Sequence, residues 1–192
     1  ASDVRSLLTR LIDFLKNRFA YILLSDFGIA ATGPVLSVRL FFKTATPDLD
    51  GQTVYVPSSS ASSTRLFKIL CRYFWNSSPK CEPVEADPSL LFSQDKPFLL
   101  VGDQCLANLD QSTHRSIDLS EAWHKATTKS FVFAVVATRN DSFRRDPKAA
   151  IEFHKYLEDS FAWWQQHQDT VIHAATQRSG CQHDLIKEYY SL

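Results

Sequence analysis

Methionine is missing from all 192 residues, position 1 included, so the first residue reads as the product of processing or trimming rather than as a native start. Glycine is scarce at five. No G-x-S-x-G, G-x-x-x-x-G-K-[ST] or G-x-G-x-x-G stretch occurs, so an α/β-hydrolase, a P-loop enzyme and a dinucleotide-dependent dehydrogenase each lack their local signature. Four cysteines without a C-x-x-C pair are too few to frame a chain of this size with disulfides, which suits reduced thiols in a cytoplasmic protein. The six histidines show no H-x-x-x-H spacing and Cys181-x-His183 stands alone, so no metal site is expected. Lys and Arg number 21, as do Asp and Glu, which leaves no electrostatic footprint for nucleic acid or an anionic membrane. No run approaches the ~18 apolar residues of a membrane span, and the amino end lacks the order of a signal peptide.

What remains is an apolar fraction of 44%, enough to bury a core at this length. Asp3 to Arg18 places Val4, Leu7, Leu8, Leu11, Ile12 and Leu15 on one helical stripe, with Asp3 as N-cap. Strand-like runs surround Gly33-Pro34, the best being Val35 to Phe42; Thr53 to Val56 is a short strand, and Thr64 to Trp75 has helical period. Asn76 to Ser89 reads as a Pro- and Ser-rich loop. "PFLLVGDQCLA" and "SFVFAVVAT" carry short continuous apolar runs of the kind buried on both faces of a sheet. Asp118 and Glu121 have capping-box spacing, which starts a helix at about Leu119. From Pro147 onward helical periodicity dominates, with Gly180 as a stop. The alternation predicts an α/β protein with mostly parallel strands.

The stretch "VYVPSSSASSTRLFKIL" puts Ser58, Ser59, Ser60, Ser62, Ser63 and Thr64 between a strand and a helix. Hydroxyls there cap a helix or solvate a loop. They can also join unpaired helix N–H groups in binding a carboxylate or phosphate without lysine or arginine, at the strand ends where ligands of open sheets tend to lie. Periodicity does not choose between the two. Phe161, Trp163 and Trp164 have no interleaved basic residues and read as helix packing rather than a base-stacking platform.

Four stretches, in order over Leu7 to Arg139, resemble one family: "ILLSDFGIAATGPVLSVRLFF", "SSSASSTRLFKIL", "LLVGDQCL" and "IDLSEAWHKATTKSFVFAVVATR". They are similar to the MqnA family of menaquinone biosynthesis, the chorismate dehydratases of the futalosine route. The resemblance implies a two-lobed α/β fold like the type II periplasmic binding proteins, one lobe incomplete at its amino end because the family's first strand and Asn-containing loop have no counterpart before Ala1. It implies a flanking lobe from 1–43 and 130–192 and a central lobe over 44–129. The implied reaction removes water from chorismate to give 3-[(1-carboxyvinyl)oxy]benzoate, with no metal or organic cofactor and with a small dicarboxylate as the partner. Ser60, Ser62 and Ser63 match positions that hold substrate carboxylate, Ser37 matches the serine after Gly-Pro-Val that faces the cleft, and Gly102 and Asp103 match the strand end lining it. No catalytic base is assigned.

The departures are local. Pro57 and Ala61 stand where the family has Asp and Arg, and Thr127-Thr128-Lys129-Ser130 replaces Thr-Gly-Leu-Pro. They keep a second reading open, a non-catalytic carboxylate-binding or partner-binding protein of the same fold. The sister naphthoate synthase expects a histidine base, and no histidine lies in the first hundred residues.

Overall fold

The computed structural model describes residues 6–44, 49–85, 87–111 and 113–192, with the side chains of 6–9 and 25 left aside. The chain divides into two compact units, 1–30 with 132–174, and 31–131 with 175–192.

In the first unit, β1 (Ser6–Arg10) and β2 (Tyr21–Ala31) flank β8 (Phe131–Arg139) in a three-stranded sheet of order β1-β8-β2. β1 lies antiparallel to β8, Ser6 opposite Thr138 and Arg10 opposite Ala134. The expected helix over 3–18 is therefore a strand followed by a short α1 (Leu11–Lys16). A brief apolar run fits either period, and here the open edge of β8 supplies backbone partners that local propensity cannot match. Asp3 and Val4 lie outside the described residues. Gly28 answers a close approach, since a Cβ there would meet Ala134 O at 2.7 Å. The unit continues through α6 (Asn140–Arg145), α7 (Pro147–Gln166) and the first part of α8 (Gln168–Ser179), whose residues from Ala175 on belong to the second unit. Asn140 ties it together, its backbone N–H bonding Ala20 O and its side chain Phe19 O.

The second unit holds β3 (Val38–Phe42), β4 (Thr53–Pro57), β5 (Lys80–Val84), β6 (Phe98–Val101) and β7 (Arg115–Asp118) in the order β5-β4-β6-β3-β7. β4 is parallel to β5 and β6, whereas β3 is antiparallel to both β6 and β7. This corrects the expectation of mostly parallel pairing. The βαβ crossover through α2 (Ala61–Tyr73) sets β4 and β5 parallel. No crossover helix separates β2 from β3, so nothing of that kind fixes the direction in which β3 enters. β5 also replaces part of the loop expected over 76–89, and Pro83 is tolerated because β5 is an edge strand. β3 begins at Val38, three residues later than expected, because Leu36 turns left-handed (φ 58°) and Ser37 N–H bonds Val35 O.

The core of this unit draws on strands and helix α2. Leu40, Phe41, Val54, Leu66, Phe67, Leu70, Phe98 and Leu99 are all buried, each side chain contributing roughly 1.5–3 kcal/mol relative to exposure. Phe98 stacks on Phe41 at 5.6 Å and meets Phe92 of α3 (Pro88–Phe92) edge-on at 4.9 Å. α4 (Asp103–Leu106) follows β6 and α5 (Leu119–Thr127) follows β7. α5 starts where the capping spacing predicts, Asp118 accepting from Ser120 and Glu121 N–H. α9 (His183–Ser191) belongs to this unit and follows Gly180, whose φ of 69° ends α8. β3 and α9 thus lie outside the 44–129 span expected for the central lobe. Among the described residues, no helix is long and apolar enough to cross a membrane.

Candidate functional site

Helix α2 begins within the hydroxyl cluster, at Ala61 rather than Thr64, so Ser62 and Ser63 occupy its first turn. Ser60 is the N-cap by position, yet its side chain makes no capping bond; its Oγ donates to Ser63 Oγ at 2.9 Å. Ser62 and Ser63 are buried, and Ser62 Oγ has no hydrogen-bond partner. The first intrahelical bond is Thr64 N–H to Ser60 O. The N–H groups of the preceding turn are left without helical acceptors, at the positive end of the dipole. Ser60 therefore does not cap α2 through its side chain.

Beside this turn lies a cavity of about 460 Å³ over the carboxyl ends of the three parallel strands, lined by Pro57 at the end of β4 with Ser58 and Ser59 beyond it, Val84 at the end of β5 with Glu85 beyond it, and Gln104 after β6. Ser58 Oγ donates to Glu85 Oε1 at 2.9 Å. The serines that line this cavity are 58 and 59; Ser60 is the N-cap of α2, and Ser62 and Ser63 are in its first turn.

Ser37, Gly102 and Asp103 form a second group. Ser37 is buried, its O accepts Gly102 N–H at 2.8 Å, and its Oγ donates to Tyr189 Oη of α9 at 3.4 Å. Gly102 has φ 70° and ψ −145°, a backbone that side chains resist. Asp103 lines a smaller cavity of about 230 Å³ with Leu106, Arg178, Tyr189 and Tyr190.

Three residues emerge only in the structure. Tyr189 reaches Ser37 across 152 positions, which no local pattern signals. Glu85 and Gln104 become site residues because strand ends gather there. Asp118 does more than cap: one carboxylate oxygen holds α5, and the other accepts Val35 N–H at 3.0 Å and Leu36 N–H at 2.7 Å, fixing the turn that carries Ser37.

Burial pushes the thiols of Cys71 and Cys105 up to about 12, and it raises Cys81 as well, against the attraction of Lys68. At neutral pH Cys71 and Cys105 therefore stay thiols, which leaves them without the thiolate that nucleophilic work needs. Among the described residues, no group of three or more His, Cys, Asp or Glu is placed to hold a metal ion.

Two α/β units, with an antiparallel strand inserted beside parallel ones and a cavity at the strand ends, define a fold of the periplasmic-binding-protein type. A protein from Archaeoglobus fulgidus superposes with a TM-score of 0.69 at 19% identity, over 92% of this chain and 64% of that one. The aliphatic sulphonate binding protein SsuA of Escherichia coli gives 0.62 at 14%, over 97% and 64%. The sequence profile described as menaquinone biosynthesis matches residues 9–192, and the chain belongs to that family. A chorismate dehydratase of Thermus thermophilus is 33% identical over an alignment 155 positions long, which covers 72% of this chain and 55% of the relative. The chain thus spans little more than half the length of that relative.

Proposed function

We propose that the protein is a chorismate dehydratase-like lyase of menaquinone biosynthesis, working in the cytoplasm and forming 3-[(1-carboxyvinyl)oxy]benzoate. The family and the Thermus relative support the general direction. The observation that carries the site is the amino end of α2, where a buried serine hydroxyl and unspent backbone donors stand beside a strand-end cavity.

A substrate carboxylate at that end is held by backbone N–H and hydroxyl donors with no formal countercharge, as helix termini hold anions elsewhere. Glu85 and Asp87 line the same cavity and repel an anion from their side, so the carboxylate takes the α2 side. The reaction needs a proton to leave a ring carbon while the neighbouring C–O bond breaks, its electron pair departing with hydroxide. Proton and hydroxide together make the released water. Hydrogen-bonded donors that fix the substrate lower this barrier by orientation, and a substrate carboxylate can accept the proton.

The test is incubation with chorismate, following loss of its diene absorbance and product mass together. Turnover supports the lyase. Binding by calorimetry without turnover supports the second reading, a carboxylate-binding protein, which the replacements at Pro57 and Ala61 favour. Absence of binding defeats both. In a binding-competent protein, Ser63→Ala removes a desolvated hydroxyl donor and Ser60→Ala the group whose hydroxyl bonds it, and each weakens affinity by about 1–3 kcal/mol; unchanged affinity in both returns the cluster to a structural role.

A further inference from the structure

A further cavity of the second unit, of about 210 Å³, lies between α2 and the ends of β4 and β5. Ala61, Thr64, Arg65 and Lys68 line it from the helix, and their spacing of i, i+3, i+4 and i+7 puts all four on one stripe. That stripe is distinct from the buried one of Leu66, Phe67 and Leu70. From the sheet come Val56 and Pro83, register partners in β4 and β5, together with Pro57 and Ser58. Pro57 and Ala61, the two departures in the serine turn, are short and uncharged, which leaves the space open. The cavity thus combines apolar walls with a guanidinium, an ammonium and two hydroxyls.

No counter-charge comes from α2 itself, whose sequence ASSTRLFKILCRY holds three bases and no acid. Arg65 and Lys68 are both exposed and stand three positions apart, a spacing at which like charges repel. Among the described residues neither forms an ion pair. The acids of β5 and of the residue after it are turned elsewhere. Glu82 alternates with Pro83 and so takes the other face of the strand, while Glu85 accepts Ser58 Oγ at 2.9 Å and lines the larger cavity. We propose that this smaller cavity binds a phosphoryl group, as inorganic phosphate or as the monoester of a small apolar group, between the Arg65 guanidinium and the Lys68 ammonium. A guanidinium offers an oxyanion two parallel donors, and an ammonium adds a compact point charge. Thr64 supplies a neutral donor on the same stripe. A doubly charged oxyanion offsets both cations, which a monocarboxylate does only by half. The apolar residues suit the carbon part of an ester. The site works through side-chain charge, and it stands apart from the substrate reading and survives its failure.

Inorganic phosphate and phenyl phosphate are titrated separately into the protein, without chorismate, while backbone amide and Thr64 methyl resonances are followed by NMR. The expected result is saturable binding with a dissociation constant of about 1 mM or below, and with shifts concentrated on residues 64–68 and 82–84. Arg65→Gln and Lys68→Gln each weaken it about tenfold, as loss of one hydrogen bond to a charged group does. Arg65→Lys recovers only part of the loss, because it keeps the charge without the planar fork. Both side chains are exposed, so these variants keep the unfolding midpoint of the parent chain. Tighter binding of phenyl phosphate supports the proposal with an ester as the ligand, and equal affinities support it with free phosphate. Absence of saturable binding by either probe overturns it, and so does binding that both glutamine variants leave unchanged.

Discussion

Replacing Asp118 by Asn tests a carboxylate that joins two segments of the second unit. Its carboxylate is fully enclosed and accepts four backbone N–H groups, two on each oxygen: Val35 and Leu36 on one, Ser120 and Glu121 on the other. The amide of Asn keeps one oxygen and turns an NH₂ toward the other pair, so two acceptor bonds vanish and two buried N–H groups face a donor. Hydrogen bonds to a charged group contribute about 1.5–3 kcal/mol each, and an unsatisfied buried donor costs about 1–3. Since these overlap rather than add, the expected loss is about 3–5 kcal/mol, a large share of the 5–15 kcal/mol typical of a domain. Arg39 Nε, 3.9 Å away, adds a charge-dependent part of the same sign. Urea unfolding followed by circular dichroism reads the change as a shift in midpoint at constant slope. A loss below about 1 kcal/mol would refute the claim that this carboxylate holds together the turn at Leu36 and the start of α5.

Thr128 ends α5 in the left-handed region at φ 60°, where a β-branched residue is strained, and the family resemblance puts glycine at that position. Thr128→Gly is therefore expected to raise stability by about 0.5–1 kcal/mol, seen as a higher thermal midpoint; a fall would show that the threonine's own bonds matter more. His114 packs against Phe92 and Phe98 at 5.0 and 5.7 Å, and burial first, with the nearby Lys43 second, holds its imidazole below the usual range. The folded protein thus binds fewer protons than the unfolded chain in the window below the ordinary histidine value, so stability is full above about pH 6.5 and falls as pH drops through that window. His114→Phe should flatten that slope in denaturation curves between pH 5 and 7, and an unchanged slope would assign the dependence to other groups.

Local chemistry was legible, distant pairing was not. Asp118 and Glu121 sit three apart, so the start of α5 could be read to the residue. The continuous apolar runs at β6 and β8 told of burial on both faces, and Gly180 of a stop. Ser6–Arg10 could not be read as a strand, because what makes it one is an edge of β8 more than a hundred residues on. β5 hid behind Pro79 and Pro83, which a sheet edge forgives. At the site, the hydroxyl cluster announced a strand-to-helix turn. Which hydroxyls face the cavity, and that Ser60 bonds Ser63 instead of capping, depended on α2 starting a turn early.

The insertion of β3 between β6 and β7 has a consequence for biosynthesis. Val38–Phe42, four of whose five side chains are buried, leaves the ribosome well before either neighbour, and its last partner is Arg115–Asp118. At a synthesis rate of about 5–20 residues per second, this oily pentapeptide waits several seconds with no strand on either side. Nascent-chain chaperones that shield such segments would meet this protein early, and slowing of translation between these strands would lengthen the time in which it is prone to clump.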